Sequence, residues 1–344
     1  KMEITKKFEP MYAVQGENSV MSFTFFPSQN SNSKIRYAAS GQIDGWVYIW
    51  DLKRLESKKF YAGDYSIMWL HSISESQLLV LCRTEALCLY NLHGYSPHIS
   101  RQNITDSEQP SLIATHSLNG YLGYSAGDTQ ETDSSEFYIA VPGPDSSGCT
   151  VIQLLDNQFK KVSTLIPNEA KSRGILSRLK FIRKENMYLI ITVYESGHLI
   201  LWEWQEVKIL SEIKLPEPSP FGLAYSSKCH LGVTGSAGNR LRMFSLGERL
   251  TLEFIKELKW KAKGISACVS HPEESVYAAG TWNHRIGIFR WSDDKPIQEN
   301  SEFHSGTIED IFFSSGPVEG LQGSYILVVI SADKKISFWN VLTN

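Results

Sequence analysis

Short runs in which apolar and polar residues alternate recur along the whole chain, each bounded by turn-forming residues. The clearest copies read GWVYIWD (45–51), SGHLILWE (196–203), GNRLRMFS (238–245), NHRIGIFR (283–290) and DKKISFWN (333–340), closing on Trp50, Trp202, Phe244, Phe289 and Trp339. Weaker copies surround Tyr90 and Gln153, so successive closing positions lie 40, 63, 49, 42, 45 and 50 residues apart. Alternation of this length predicts strands, not helices, because side chains on a strand point to opposite faces with a period of two. The first unit shows the grammar in full: SVMSFTF (19–25), a polar tip PSQNSNSK (27–34), YAASG (37–41), then GWVYIWD.

A period of about 40–50 residues with four strand-like runs per unit and an aromatic near the end of the third is that of a WD-repeat β-propeller. The predicted fold is therefore all-β, a single seven-bladed ring over residues 1–344, with about 49 residues per blade. A lone strand at 10–15 precedes the first unit, and the last unit stops after its third strand. The two ends complement each other, and residues 10–15 are expected to close the ring as the outermost strand of the last blade, leaving no free sheet edge at the seam. Unit three, at about 95–156, is irregular: SLIATHS and FYIAVPG are its recognisable strands, and the acidic, polar stretch 123–136 between them is expected to be a solvated loop. The three prolines at 216–220 predict a stiff, extended connection.

The formal net charge of −3 and the scattered Lys and Arg residues provide no basic field for nucleic acid or an anionic membrane. No apolar run approaches the roughly 18–20 residues of a membrane span. Five cysteines at irregular spacing, several inside apolar runs, predict buried reduced thiols, not a disulfide framework or zinc site. This composition points to the nucleus or cytoplasm, where the sequon at Asn103 is a chance match.

In well-formed repeats of this kind a buried His–Ser/Thr–Asp–Trp network crosses each blade. Here it is fragmentary. The first unit offers Ser40, Asp44 and Trp50 but Gly16 in the His position, and the last offers His304, Asp333 and Trp339 but Val329 in the hydroxyl position. Units four, five and six place Ser196, Gly238 and Asn283 where the Asp belongs. Since half-satisfied buried polar networks are costly, the blades are expected to hold mainly through aliphatic and aromatic packing between neighbours. His304 and Asp333 belong to this scaffold and not to an acid–base pair. No nucleophile elbow, zinc-protease, P-loop or dinucleotide motif occurs, so the reading is of a non-enzyme without metal or cofactor.

Trp282 is the candidate binding residue. It falls where the second and third strands of its unit meet, on a rim expected to face ligands, and an unpartnered exposed Trp is a frequent interface anchor. Arg285 and Arg83 are its supporting candidates, and the other copies of the position include Ile43 and Glu195.

The runs GSAGNRLRMFSL, HPEESVYAAGTWNHRIGIFRW and EFHSGTIEDIFF, with AVPG (140–143) and YAASGQIDGWVYIWDL near the start, resemble the guanine nucleotide-binding protein β-subunit-like protein 1 family, whose fungal members are called ASTRA-associated protein 1. Two departures are Asn283, where an Asp is usual, and the acidic insertion of unit three. The resemblance implies a non-catalytic adaptor associated with the ASTRA assembly and with the TTT cochaperone, made of the Tel and Tti helical-repeat proteins. That system matures phosphatidylinositol-3-kinase-related kinases with the ninety-kilodalton heat-shock chaperone. It also implies a chain that is monomeric within a hetero-complex. A signalling β-subunit would need a long N-terminal heptad helix, and about nine residues precede the first strand here. The remaining alternative is a propeller scaffold of another cytosolic or nuclear complex.

Overall fold

The seven repeated runs are all third strands: Trp46–Asp51, Ala86–Asn91, Thr150–Asp156, His198–Glu203, Arg240–Leu246, Ile286–Arg290 and Lys335–Asn340. Each lies within a four-stranded antiparallel sheet, and seven such sheets make the ring seen in the computed structural model, which describes residues 8–28, 33–95, 109–121, 123–216 and 220–341. Among the described residues the one helix is Ala170–Arg173. The expected all-β, seven-bladed propeller is borne out. The Asn103 sequon and residues 217–219 of the proline-rich connection fall outside the described residues.

Closure is also as expected. Pro10–Gln15 pairs antiparallel with Lys335–Asn340, placing Tyr12 opposite Phe338 and Val14 opposite Ile336. Gly16 N–H continues the pairing to Lys334 O at 2.7 Å. The strand thereby covers the backbone groups that the last blade would otherwise leave unpaired.

Blade three departs from the sequence reading. Ser111–Ser117 is not one of its strands but the outermost strand of blade two, paired with Ala86–Asn91. The stretch read as a solvated loop contains blade three's innermost strand, Asp128–Glu131, paired with Phe137–Pro144. Its polar residues gave no apolar signal because polar contacts hold it. Thr129 Oγ1 bonds His71 Nε2 of blade two at 2.9 Å, and Asp128 Oδ2 accepts Phe181 N–H of blade four at 2.8 Å.

The apolar clusters lie between blades. One joins Ile49 and Phe60 of blade one to Ile67, Leu70 and Val80 of blade two, and another joins Val276 and Ile288 of blade six to Ile308, Val329 and Trp339 of blade seven. This is the packing expected of blades with incomplete polar networks.

The networks themselves follow a rule. A hydroxyl ten residues before the closing Trp accepts its indole N–H: Trp50 Nε1 donates to Ser40 Oγ at 2.8 Å and Trp202 Nε1 to Thr192 Oγ1 at 2.9 Å. In blade five the closing residue is Phe244, which has no N–H, and the buried Thr234 hydroxyl is left without a partner. Blade six has Ala279 and Phe289, so both ends of the bond are absent together. In blade seven the hydroxyl expected at 329 is supplied from a different strand. Trp339 Nε1 donates to Ser337 Oγ at 2.7 Å, and Ser337 Oγ lies 2.7 Å from His304 Nε2. His304 Nδ1 faces the Asp333 carboxylate at 3.0 Å. A carboxylate only accepts, so Nδ1 carries the imidazole proton and Nε2 accepts from Ser337. The network read as broken is complete. In blade one Asn18, and not a residue at Gly16, donates its side-chain amide to Asp44.

Candidate functional site

In an antiparallel blade the inner strand starts on the face where the second strand ends. The turns between second and third strands therefore share a face with the starts of all seven inner strands. Ile43, Arg83, Glu195 and Trp282 occupy such turns in blades one, two, four and six.

Six of the seven inner strands carry a register shift at their second or third residue: between Val20 and Ser22, Ile67 and Trp69, Leu176 and Arg178, Pro220 and Leu223, Ile265 and Ala267, and Ile308 and Asp310. A bulge leaves a residue unpaired and re-aims its side chain. Met21, Met68, Phe221, Ser266 and Glu309 are such residues, and all five line one cavity of about 190 Å³. Tyr124, Ala126, Arg178, Trp282 and Asp310 complete the lining, so every blade contributes. The cavity is the mouth of the central channel.

Trp282 is 42 % exposed. One part of its ring lies over Gly264, where an added Cβ would come within 2.1 Å of it, and its centroid is 5.4 Å from that of Phe221. The rest of the ring is offered to solvent at the cavity rim. Tyr124 is also exposed, and the Arg83 guanidinium lies 3.9 Å from its centroid.

Glu309 and Asp310 bring two carboxylates to the mouth. Burial raises the Glu309 pKa, the adjacent Asp310 charge raises it further, and Arg178 opposes both in part. Burial likewise raises Asp310, with Arg178 and the Ile311 N–H offsetting part of the effect. Asp310 Oδ1 accepts that N–H at 2.9 Å, while Arg178 Nη1 donates to the Ser177 carbonyl at 3.0 Å. Neither carboxylate forms an ion pair among the described residues. Cys268, close by, has its thiol pushed up to about 12 by burial, so it is no thiolate nucleophile at neutral pH. Among the described residues no group of three His, Cys, Asp or Glu side chains gathers to hold a metal ion.

The other candidates stand apart from the cavity lining. Arg285 pairs with Glu299 at 2.7 Å within its own blade. Glu195 accepts the Ile175 N–H at 3.4 Å, and Ile43 is 51 % exposed on blade one. His304, Asp333 and Trp339 form the internal network of blade seven, and Phe244 and Phe289 are buried between blades. A second cavity of about 330 Å³ opens toward the far ends of the inner strands of blades seven, one and two, lined by Phe23, Trp69, His71 and Phe312 with no acidic residue.

Glu309, Asp310, Arg178, Phe221 and Tyr124 are site residues that the sequence reading did not single out. A signal was present in the aligned starts of the six bulged inner strands, VMS, IMW, LSR, PFG, ISA and IED, where charged residues occur only in blades four and seven.

No protein-family model matches the chain. Over 341 residues the chain is 28 % identical to guanine nucleotide-binding protein subunit beta-like protein 1 of Mus musculus, a match that covers 96 % of this chain and 96 % of the mouse protein. That end-to-end similarity, with the seven-bladed ring, bears out the resemblance carried by the late repeats and supports a WD-repeat scaffold.

Proposed function

We propose that this chain is a non-catalytic WD-repeat adaptor that docks other proteins on the face bearing Trp282, and that it serves the TTT cochaperone and ASTRA system in maturing phosphatidylinositol-3-kinase-related kinases. Its place of action is the nucleus and cytoplasm, as a monomer within a hetero-complex. The observation that carries the reading is the half-exposed Trp282 at the rim of a cavity built by all seven blades. An edge-free ring presents rigid, loop-decorated faces, which suits a surface that holds partners and does not itself rearrange. The end-to-end similarity to the mouse protein supports a WD-repeat scaffold.

A titration against the purified Tel and Tti proteins tests this directly. Trp282→Ala is expected to weaken binding about thirtyfold, the ~2 kcal/mol typical of an aromatic anchor, with the melting temperature nearly unchanged. Unchanged affinity would remove Trp282 from the interface. No interaction with either protein would remove the cochaperone assignment and leave a scaffold of another complex.

A further inference from the structure

We infer that the channel mouth receives the cationic end of an arginine or lysine side chain presented by a protein partner, with Glu309 and Asp310 as its counter-charges and Trp282 and Phe221 as its wall. The inference rests on the reading of this face as a docking surface and specifies what it docks.

Charge is the first argument. Glu309, Asp310 and Arg178 are the charged groups lining the cavity, so two carboxylates face one guanidinium and one negative charge is left over. Glu309 has neither a hydrogen-bond nor an ion-pair partner among the described residues, and Asp310 has only a backbone N–H. Half-buried carboxylates keep their charge at some cost unless a cation or donors meet them. Burial raises both groups, and the Arg178 charge only partly offsets this. An incoming cation supplies what is missing.

The wall is the second argument. Trp282 and Phe221 are tilted at 54° with centroids 5.4 Å apart, and the faces of such rings attract ammonium and guanidinium groups. The same rim already shows the contact in miniature, where the Arg83 guanidinium covers Tyr124. Met21 and Met68 add adaptable apolar surface for the methylenes of a long side chain.

Size and ligand chemistry exclude the alternatives. A cavity of about 190 Å³ with a side chain from every blade in its wall admits the end of a side chain and not a helix of about 10–12 Å diameter. Among the described residues no third His, Cys, Asp or Glu joins the two carboxylates to hold a metal ion. An anion would meet the surplus carboxylate.

The test uses the full chain with 15N-labelled tryptophan and reads the Trp282 indole resonance, assigned through Trp282→Phe. The probes are acetyl-Ala-Arg-Ala-amide and its citrulline counterpart, which has nearly the same shape without the charge. The arginine peptide is expected to shift the Trp282 resonance saturably, with a dissociation constant on the order of a few millimolar, as for one anchored group. The citrulline peptide should bind at least tenfold more weakly, and Glu309→Gln and Asp310→Asn should each weaken the arginine peptide by a similar factor. Citrulline binding within threefold of arginine, or undiminished binding by both carboxylate variants, overturns the proposal. So does the absence of a saturable shift up to about 50 mM, ten times the expected constant. The citrulline comparison uses the unaltered protein and stands even if a variant folds poorly. Because no cochaperone subunit takes part, failure here is separate from failure of the titration with the Tel and Tti proteins.

Discussion

Ser337→Ala should be far more damaging than the loss of one hydroxyl from a serine ordinarily is. Ser337 is fully buried and joins Trp339 Nε1 and His304 Nε2, each at 2.7 Å. Its removal leaves an indole donor and an imidazole acceptor unpaired inside blade seven, next to the seam that closes the ring. At about 1–3 kcal/mol for each buried group left unsatisfied, the variant should lose about 2–6 kcal/mol, against a typical total of 5–15. Urea unfolding followed by far-UV circular dichroism reads this as a lower midpoint with unchanged slope. A double-mutant cycle sharpens the test. In a Trp339→Phe background the indole donor is already gone, so Ser337→Ala should cost only the histidine's share, giving a coupling of about 1–3 kcal/mol between the two positions. A single-variant loss below about 0.5 kcal/mol, or effects that add within that margin, would refute the argument that Ser337 is the hub.

Three further outcomes are expected. Asp333 is held below the ordinary carboxylate range because, although burial raises it, the bonds from His304, Ser305 N–H and Lys335 N–H more than compensate. Its contribution is therefore present in full above the unfolded-state value near 3.9 and lost as pH falls below it, so the urea midpoint of Asp333→Asn, already lowered at neutral pH, should fall less steeply than that of the unaltered protein as pH drops below about 4, and a parallel pH dependence in both proteins would count against the linkage. Trp339→Ala should cost about 3–5 kcal/mol as a fully buried aromatic truncation, whereas Trp50, which is part-exposed and stacked on Tyr48, should cost less; equal losses by urea titration would contradict this ranking. Removing residues 1–16 should lower the melting temperature of the whole ring and promote aggregation, since it uncovers one complete strand edge; unchanged melting and solubility would mean that the seam is held by other contacts.

The ring was legible because third strands advertise themselves. Trp50, Trp202, Phe244, Phe289 and Trp339 mark a position where a large ring is buried or half-buried between neighbouring blades, and the spacing between such marks counts the blades. Blade three's inner strand was not legible, because Asp128–Glu131 owes its conformation to bonds with His71 and Phe181, residues more than fifty positions away, and not to an apolar pattern of its own. Ser337 was missed for a related reason. Only the folded blade shows that a hydroxyl two residues before Trp339, not ten, reaches the indole. The channel mouth lay further out of reach: Phe221, Ser266 and Glu309 line one cavity only because bulges recur at the same point of separate strands. Trp282 was recognised as exposed, but not the acids beside it.

The closing strand also sets a schedule for biosynthesis. Pro10–Gln15 leaves a ribosome more than three hundred residues ahead of its partner Lys335–Asn340. At 5–20 residues per second the strand waits roughly 15–65 s for the segment it must join. Throughout that interval six blades can assemble in order, yet the ring stays an open arc, and the seventh blade can be finished only by a segment that precedes the first blade. Nascent chains should therefore depend on molecular chaperones most just before Lys335–Asn340 emerges, and substitutions along that strand should lower cellular yield more than their effect on the finished ring would indicate.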